Sequence, residues 1–308
     1  MRAIVSSGGQ FVFAEVSEPV RADPEEVLIE VEYVSLNRGE FGVGWQPDAV
    51  IGWDASGAVI ETSSDGLGPV RGSRVVSWGL SGGWAQRRVV DRRNLAILPA
   101  DIDSATAAAL PVAGLTALHA VRHLGEPPGA NIAVTGATGG VGHLIVQLAA
   151  RAGFHVAALT RSPERAAPLE RLGDPLTRVV DVRDIGKLRT MEAVIDTTGG
   201  PVLEQLVSLV APEGKVVLVG AAAGSPALLD TASLIASRID LVSVKISTPV
   251  GAELKYLVDL VANGQLHVAV HNAESWDGLT NRVTPDTSAF GKTVYQVESS
   301  PQRSLLTE

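Results

Sequence analysis

The sequence has no cysteine, and that one absence removes disulfides, thiolate zinc sites, iron–sulfur clusters and cysteine nucleophiles together. It also has no apolar run near the roughly 18 residues that a membrane helix needs. Its start, MRAIVSSGGQFVFAEV, alternates like a strand and not like a secretory leader. A soluble, cytoplasmic protein without a membrane partner is expected. Positive charge is scarce: 25 Lys and Arg face 34 Asp and Glu, for a formal net charge of -9. That balance opposes a phosphate backbone, so no nucleic acid is expected as a partner. No Ser-His-Asp order or general-base pair stands out. His119 and His123 in HAVRH have i, i+4 spacing but lack the glutamate of a metalloprotease helix, and they read as a packed or half-exposed pair.

With 308 residues, 45% of them hydrophobic, the chain can bury a substantial core in one large or two medium domains. The first hundred or so residues carry short runs (RAIVS, EVLIEVEYVSL, ASGAVIE, SRVVSWG, WAQRRVV, NLAILP) separated by Gly, Pro and Asp, the pattern of a small all-β unit. A helical pattern begins at DSATAAALPVAGLTALHAVRHLG, and from Asn131 strands alternate with helices, which predicts crossover units on a parallel sheet. Strands are expected near 131–135, 154–160, 177–180, 192–196, 215–219 and 240–246, and helices near 140–152, 163–172 and 202–211. AELKYLVDLVANG reads as an amphipathic helix ending at Gly264, after which LHVAVH and KTVYQV return to strand pattern and the tail is expected to rejoin the first unit. SSPQRSLLTE is expected to fray.

The stretch AVTGATGGVGHLIVQLA joins an apolar strand to a helix expected from about Gly139, with Gly153 placed to cap that helix. Gly139 lets backbone approach a pyrophosphate, and Gly142 lets the helix pack closely on the strand. Ala137 occupies the first motif position and Gly136 precedes it, so this is an A-x-G-x-x-G variant of the dinucleotide fingerprint. Phosphate would rest on the turn of Gly136, Thr138, Gly139, Gly140, Val141 and Gly142, where free N–H groups and the helix dipole favour an anion. A purely structural turn is the alternative, and the Lys-Ser/Thr of a triphosphate loop is absent. An acid roughly twenty positions on would hold the ribose of NAD. The sequence offers ALTRSPERA instead, where Thr160, Arg161, Ser162 and Arg165 supply hydroxyl and guanidinium donors to a 2′-phosphate. NADPH is the favoured cofactor, with NADH or dual use left open. The competing reading has Ser162 capping a helix that starts at Pro163, with both arginines solvated.

GWDASGAV, GSRVV, GGWAQ, ALPVAGLTALHAV, GATGGVGHLIVQLA, VIDTTGG, APEGKVVLVG and GKTVYQV follow one another in an order and spacing that resembles the medium-chain dehydrogenase/reductase superfamily, in its zinc-free quinone oxidoreductase (zeta-crystallin-like) branch. The resemblance covers nearly the whole chain. It implies an α/β fold with a GroES-like β domain over 1–115, a Rossmann doubly wound parallel-sheet domain over 116–250, and a C-terminal return over 251–308. Zinc-dependent relatives carry a cysteine near the end of an early strand and a histidine in GHE; here those places hold Asn37 in SLNRGEF and Trp53 in GWD, so no metal is expected.

Without a Lewis acid, a simple alcohol dehydrogenase mechanism is disfavoured, whereas quinones and enones accept hydride because the developing charge delocalises to oxygen. The resemblance therefore implies hydride transfer from NADPH to a quinone or an α,β-unsaturated carbonyl, with the protein supplying orientation, a dry pocket and donors to the oxyanion. It places Asn37 and Thr116 near the nicotinamide, Lys292 at the crevice, and Asp54 after the lost ligand with either a chemical or a structural role. Thr197 and Gly220, at strand ends, are expected to face the cofactor. Phe41, Trp45 and Trp53 could stack a flat substrate or simply pack. Pro285 interrupts a segment that is helical in relatives. Two other readings remain: a non-catalytic NADPH-binding protein, crystallin-like or sensing, and a metal-free dehydrogenase of a hydroxyl substrate. A homodimer paired along DLVSVKIST is expected.

Overall fold

The computed structural model describes residues 1–125, 129–172, 174–281 and 289–298. Strands β1 (Arg2–Ser7) and β2 (Gln10–Glu15) form an antiparallel hairpin turning at Gly8 and Gly9, both at positive φ. The sequence predicts one alternating strand there. Two glycines that enter left-handed backbone without steric cost fold it back on itself. Strands β3 (Glu26–Ser35), β4 (Asp54–Glu61), β5 (Arg74–Trp78), β6 (Arg87–Asp91) and β7 (Leu95–Ile97) follow. Short α1 (Ser104–Ala108) leads into α2 (Pro111–Arg122), whose Pro111 sits where a helix has no use for an N–H.

The second unit runs β8 (Asn131–Val134), α3 (Gly142–Arg151), β9 (His155–Thr160), α4 (Ala167–Arg171), β10 (Thr177–Asp181), β11 (Met191–Asp196), α5 (Gly200–Val207), β12 (Val210–Leu218), α6 (Thr231–Ser237) and β13 (Asp240–Ser243). Its six strands are ordered β10-β9-β8-β11-β12-β13, all parallel, so the order reverses between β8 and β11. That reversal opens a crevice at the strand carboxyl ends, where ligands of such sheets bind. Strands covered on both faces must be apolar throughout, and Ile132, Ala133, Val134, Val194 and Ile195 are all fully buried. Then α7 (Gly251–Ala262) crosses back to β14 (Val270–Ser275) and β15 (Lys292–Gln296), which join β3–β7 in a seven-stranded sheet.

Several boundaries depart from the sequence pattern. The helix expected over 163–172 is a 3₁₀ turn, Pro163–Ala166, followed by the five residues of α4, because Pro163 and Pro168 each remove a backbone donor. The helix expected over 202–211 starts earlier, at Gly200, and stops at Val207, since Val210 already pairs with Met191. The strand from LHVAVH begins only at Val270, and that from DLVSVKIST ends at Ser243. Pro285 lies outside the described residues. Among those described, no helix is long and apolar enough to cross a membrane.

One core serves both units. Val76 and Leu110 of the first unit pack in the same cluster as Leu115 and Leu118 of α2, Leu144 and Ile145 of α3, Leu254 and Leu257 of α7, and Val294 of β15. The crevice therefore has fixed walls. Gly142 is the tightest joint in one of them, because a Cβ there would lie 2.1 Å from the Gly136 carbonyl oxygen. Gly142→Ala should lower unfolding free energy by about 2–3 kcal/mol, the scale of overpacking, measured as a reduced denaturant midpoint at unchanged slope.

Candidate functional site

The glycine turn occupies the carboxyl end of β8. Gly136 has φ 59°, and a Cβ on it would sit 2.3 Å from the Thr197 hydroxyl, so glycine is required there on both counts. The start of α3 moves from the expected Gly139 to Gly142, because the Gly139 N–H bonds the Gly136 carbonyl at 2.9 Å to close a tight turn first. Among the described residues the N–H groups of Gly140 and Val141 have no protein acceptor. Partly exposed donors before a ten-residue helix fit an anion such as a pyrophosphate, so the turn suits a dinucleotide.

Buried Asp196, at the end of β11, holds this side of the crevice together. Its carboxylate accepts from the Thr135 hydroxyl at 2.7 Å, the Thr198 hydroxyl at 3.0 Å and the Gly199 N–H at 2.7 Å. The Thr197 hydroxyl donates to the Thr135 carbonyl at 2.9 Å, and the Gly220 N–H reaches the Asp196 carbonyl at 3.3 Å. Thr197 and Gly220 thus stand at neighbouring strand ends. Thr160 is buried, 3.5 Å from the Thr138 hydroxyl, and its own hydroxyl accepts the Ser162 N–H at 3.1 Å. The Ser162 side chain makes no cap bond, while Arg161 and Arg165 are exposed and form no ion pair among the described residues. These donors are free for a ligand at the end of β9.

The return of the chain presses a cation against the turn. The Gly291 N–H bonds the Thr138 carbonyl at 3.0 Å, and a Cβ on Gly140 would lie 2.6 Å from Cγ of Lys292. Buried Lys292 donates from Nζ to Oδ1 of Asn37 at 2.6 Å and lies 3.7 Å from Oδ2 of Asp54. Asn37 in turn donates from Nδ2 to the same Asp54 oxygen at 2.9 Å, so its amide is oriented by a cation on one side and an anion on the other. Asp54 also accepts from the Ser35 hydroxyl at 2.7 Å and from the Val112 N–H at 3.1 Å, in the first turn of α2. With four partners it acts as a hub rather than a free base.

Two charged residues that sequence reasoning missed complete the set. Glu40 is fully buried; its Oε2 accepts the Asn37 N–H at 2.6 Å and its Oε1 the Trp53 N–H at 2.8 Å. Burial, then the Asp54 charge, push its carboxyl up to about 8, against those bonds and Lys292. Arg88 donates to the Trp53 carbonyl at 3.0 Å, the Ser77 hydroxyl at 3.2 Å and the Ser81 carbonyl at 3.1 Å, and burial pushes it down to about 10. Burial likewise lowers Lys292, opposed by Asp54 and Glu40. The available signal for Glu40 was the N-x-x-E spacing from Asn37, the spacing of a capping box.

The aromatic candidates divide. Trp45 and Trp53 are both half-buried and face each other at 6.3 Å between centroids, with the Trp45 indole N–H on the Glu40 carbonyl at 2.7 Å. Phe41 packs on Phe11 at 5.2 Å, and both Phe41 and Trp45 lie half-buried against the β-unit core. Thr116 is half-buried on α2. His119 does not pair with exposed His123; it meets Glu253 of α7 at 2.7 Å and the Lys245 carbonyl at 3.2 Å. Among the described residues no three His, Asp or Glu are grouped to hold a metal ion.

A turn built for a dinucleotide, on a six-stranded doubly wound sheet beside a β domain, defines a dinucleotide-binding protein of the two-domain dehydrogenase class. Residues 23–100 match the family model "alcohol dehydrogenase GroES-like domain" and residues 140–263 match "zinc-binding dehydrogenase". The chain is 33% identical over 224 residues to the acrylyl-CoA reductase of Ruegeria pomeroyi, covering 65% of this chain and 67% of that one. It is 29% identical over 230 residues to the bovine quinone oxidoreductase-like protein 2, covering 70% of this chain and 66% of that one, so the match spans about two thirds of each relative's length. A solved quinone oxidoreductase from Coxiella burnetii superposes with a TM-score of 0.78 at 23% identity, over 97% of this chain and 99% of that one, which speaks for the fold. The chain belongs to the medium-chain dehydrogenase/reductase superfamily, and its quinone oxidoreductase-like relatives support the zinc-free quinone oxidoreductase branch.

His143, at the second position of α3, ties the turn to the returning chain: it bonds the Gly139 carbonyl at 2.8 Å through Nδ1 and accepts the Ala269 N–H at 3.1 Å through Nε2. It must therefore be neutral, with the proton on Nδ1. Burial pushes it down to about 4 despite the Gly139 bond, with His267 and Lys292 adding repulsion. The unfolded chain, titrating near the ordinary 6.5, binds this proton first, so the neutral ring's stabilisation is complete above that value and is lost as pH falls toward 4. His143→Gln should show a shallower loss of denaturant midpoint across that window than the parent protein.

Proposed function

We propose that the protein is a zinc-independent, NADPH-dependent oxidoreductase acting on a quinone or an α,β-unsaturated carbonyl compound. The observation that carries this reading is Lys292, whose stem lies on the glycine turn and whose ammonium ends on Asn37, so that cofactor turn and site amide share one cation. When bound, the dinucleotide supplies a hydride. Every other contribution comes from the chain. Thr138, Gly139, Gly140, Val141 and Gly142 would hold the pyrophosphate, Thr197 and Gly220 would line the crevice, and Thr160, Arg161, Ser162 and Arg165 would take the 2′-phosphate. Thr116 would approach the nicotinamide carboxamide.

At the acceptor end, Trp45 and Trp53 offer a wall for a flat conjugated substrate, and Lys292 with Asn37 provides donors toward oxygen that becomes negative as hydride arrives. Asn37 and Trp53 occupy the places where zinc-dependent relatives carry ligands, and neither supplies a thiolate or imidazole. A ketone that must be activated by a metal is therefore a poorer acceptor for this site than one whose own conjugation spreads the charge. The names of the bovine and Ruegeria relatives support the same acceptor class.

The test is loss of dihydronicotinamide absorbance with NADPH or NADH against a panel of ortho-quinones, para-quinones and enones, without added metal. Turnover with NADPH preferred is expected, and Arg161→Ala should raise KM for NADPH by about tenfold while leaving NADH unchanged, the loss of one charge-assisted contact. Preference for NADH would discard the 2′-phosphate reading, and silence across the panel despite NADPH binding would discard the reductase.

We further propose a homodimer paired through β13, an edge strand of the parallel sheet whose Leu241 is exposed. Light scattering should give twice the 32.0 kDa chain mass, and a single-chain mass would reject it.

A further inference from the structure

Glu40 has no part in the chemistry just described, yet it touches three residues that do, Asn37, Trp45 and Trp53. Its carboxylate binds the N–H of Asn37 on one oxygen and that of Trp53 on the other, and its carbonyl takes the Trp45 indole N–H. Arg88 holds the opposite side of the Trp53 residue through its carbonyl, so Trp53 is gripped by an anion at its N–H and a cation at its C=O. The Trp53 ring lies on Gly39, next to Glu40, where even a Cβ would come within 2.7 Å. A short 3₁₀ turn, Arg38–Phe41, needs nothing so costly as a fully buried carboxylate to cap it. What the carboxylate adds is a cross-link between chain segments thirteen residues apart.

We infer that Glu40 is a positioning residue that fixes the Asn37 amide and the Trp45–Trp53 wall relative to one another, so that the polar and aromatic sides of the acceptor site move as one body. Both carboxylate oxygens are occupied by backbone N–H groups, so it acts through these neighbours and not on substrate. The charged groups facing it are Asp54, Lys292 and Arg88. Asp54 faces the two bases Lys292 and Arg88, while burial and the Asp54 charge keep Glu40 largely protonated below about 8. Deprotonation strengthens its grip on both N–H groups.

The inference rests on the reductase reading only where turnover reports it, and the test has a second arm that does not. Glu40→Gln keeps the shape but offers a single acceptor oxygen to two N–H groups. With a para-quinone above pH 8, where the parent carboxyl is deprotonated, its kcat should fall on the order of a hundredfold, the effect of misplacing a site by about 1 Å. NADPH affinity by fluorescence titration should stay unchanged, because the glycine turn is untouched, and Glu40→Asp should lie between. Independently, tryptophan emission of the parent protein should titrate near pH 8 and be flat there in Glu40→Gln; Trp53→Phe should remove most of that signal. Parent-like kcat in Glu40→Gln, kcat and NADPH affinity lost together, or identical emission titrations would each overturn the inference. If Glu40→Gln does not fold, Glu40→Asp carries the same comparisons. If the parent turns over no quinone or enone, the reductase reading fails, and the emission titrations still decide the role of Glu40.

Discussion

The Lys292 ammonium is a charge carried to a place that water barely reaches, and the arrangement of the site follows from the need to balance it. An unpaired buried cation is costly enough that it would lose its proton or unfold its surroundings. Here Asp54 lies close by and the Asn37 side-chain carbonyl oxygen points at it, while Glu40, next to Asp54, becomes a second negative charge only as it deprotonates near 8, with Arg88 buried beside them. The five residues come from four places: Lys292 from β15, Asn37 and Glu40 from the turn after β3, Asp54 from the start of β4, and Arg88 from β6. The chain of bonds from Lys292 through Asn37 to Asp54 therefore constrains how these elements dock, since a buried hydrogen bond fixes direction as well as distance.

Local periodicity made the fold largely legible. The doubly wound half shows itself through apolar strands such as NIAV and AVID and through the glycine turn, whose spacing is dictated by backbone contacts that any such turn must make. Where the pattern misled, local chemistry was responsible: Gly8 and Gly9 break one alternation into two strands, and Pro168 divides what reads as one helix. The site was legible in its location and less so in its parts. Asn37, Asp54 and Lys292 carry motif positions, and they do converge. Arg88 and His143 carry no sequence signal, and Glu40 only the cap spacing from Asn37, because their significance lies in partners that sequence spacing does not reveal. Glu40 reaches Trp53, Arg88 reaches Trp53, and His143 reaches Ala269, 126 positions away. A charged residue amid apolar neighbours is identifiable only once the fold has buried it.

The seam between the units has a mechanical consequence. Contacts that join the returning chain to the glycine turn and the start of α3 include the Gly291 N–H to Thr138, the Ala269 N–H to His143, and the Lys292 stem on Gly140. A Cβ on Gly291 would lie 2.2 Å from the Ala269 carbonyl, so this segment is packed to the backbone. A hinge that separated the units here would have to break buried hydrogen bonds and expose Lys292 together. Adjustment to different acceptors is easier in the exposed stretch from Gly42 to Asp48, where only Trp45 is drawn inward. The consequence is a division of labour along one short segment. Asn37, Glu40 and Trp45 lie on the fixed side, tied to one another, while the exposed residues on either side of Trp45 carry no such tie to the charge set. On the proposed reading, the exposed positions around Trp45 can then be changed without disturbing the Asn37 amide, because Glu40 and Lys292 hold that amide from the fixed side.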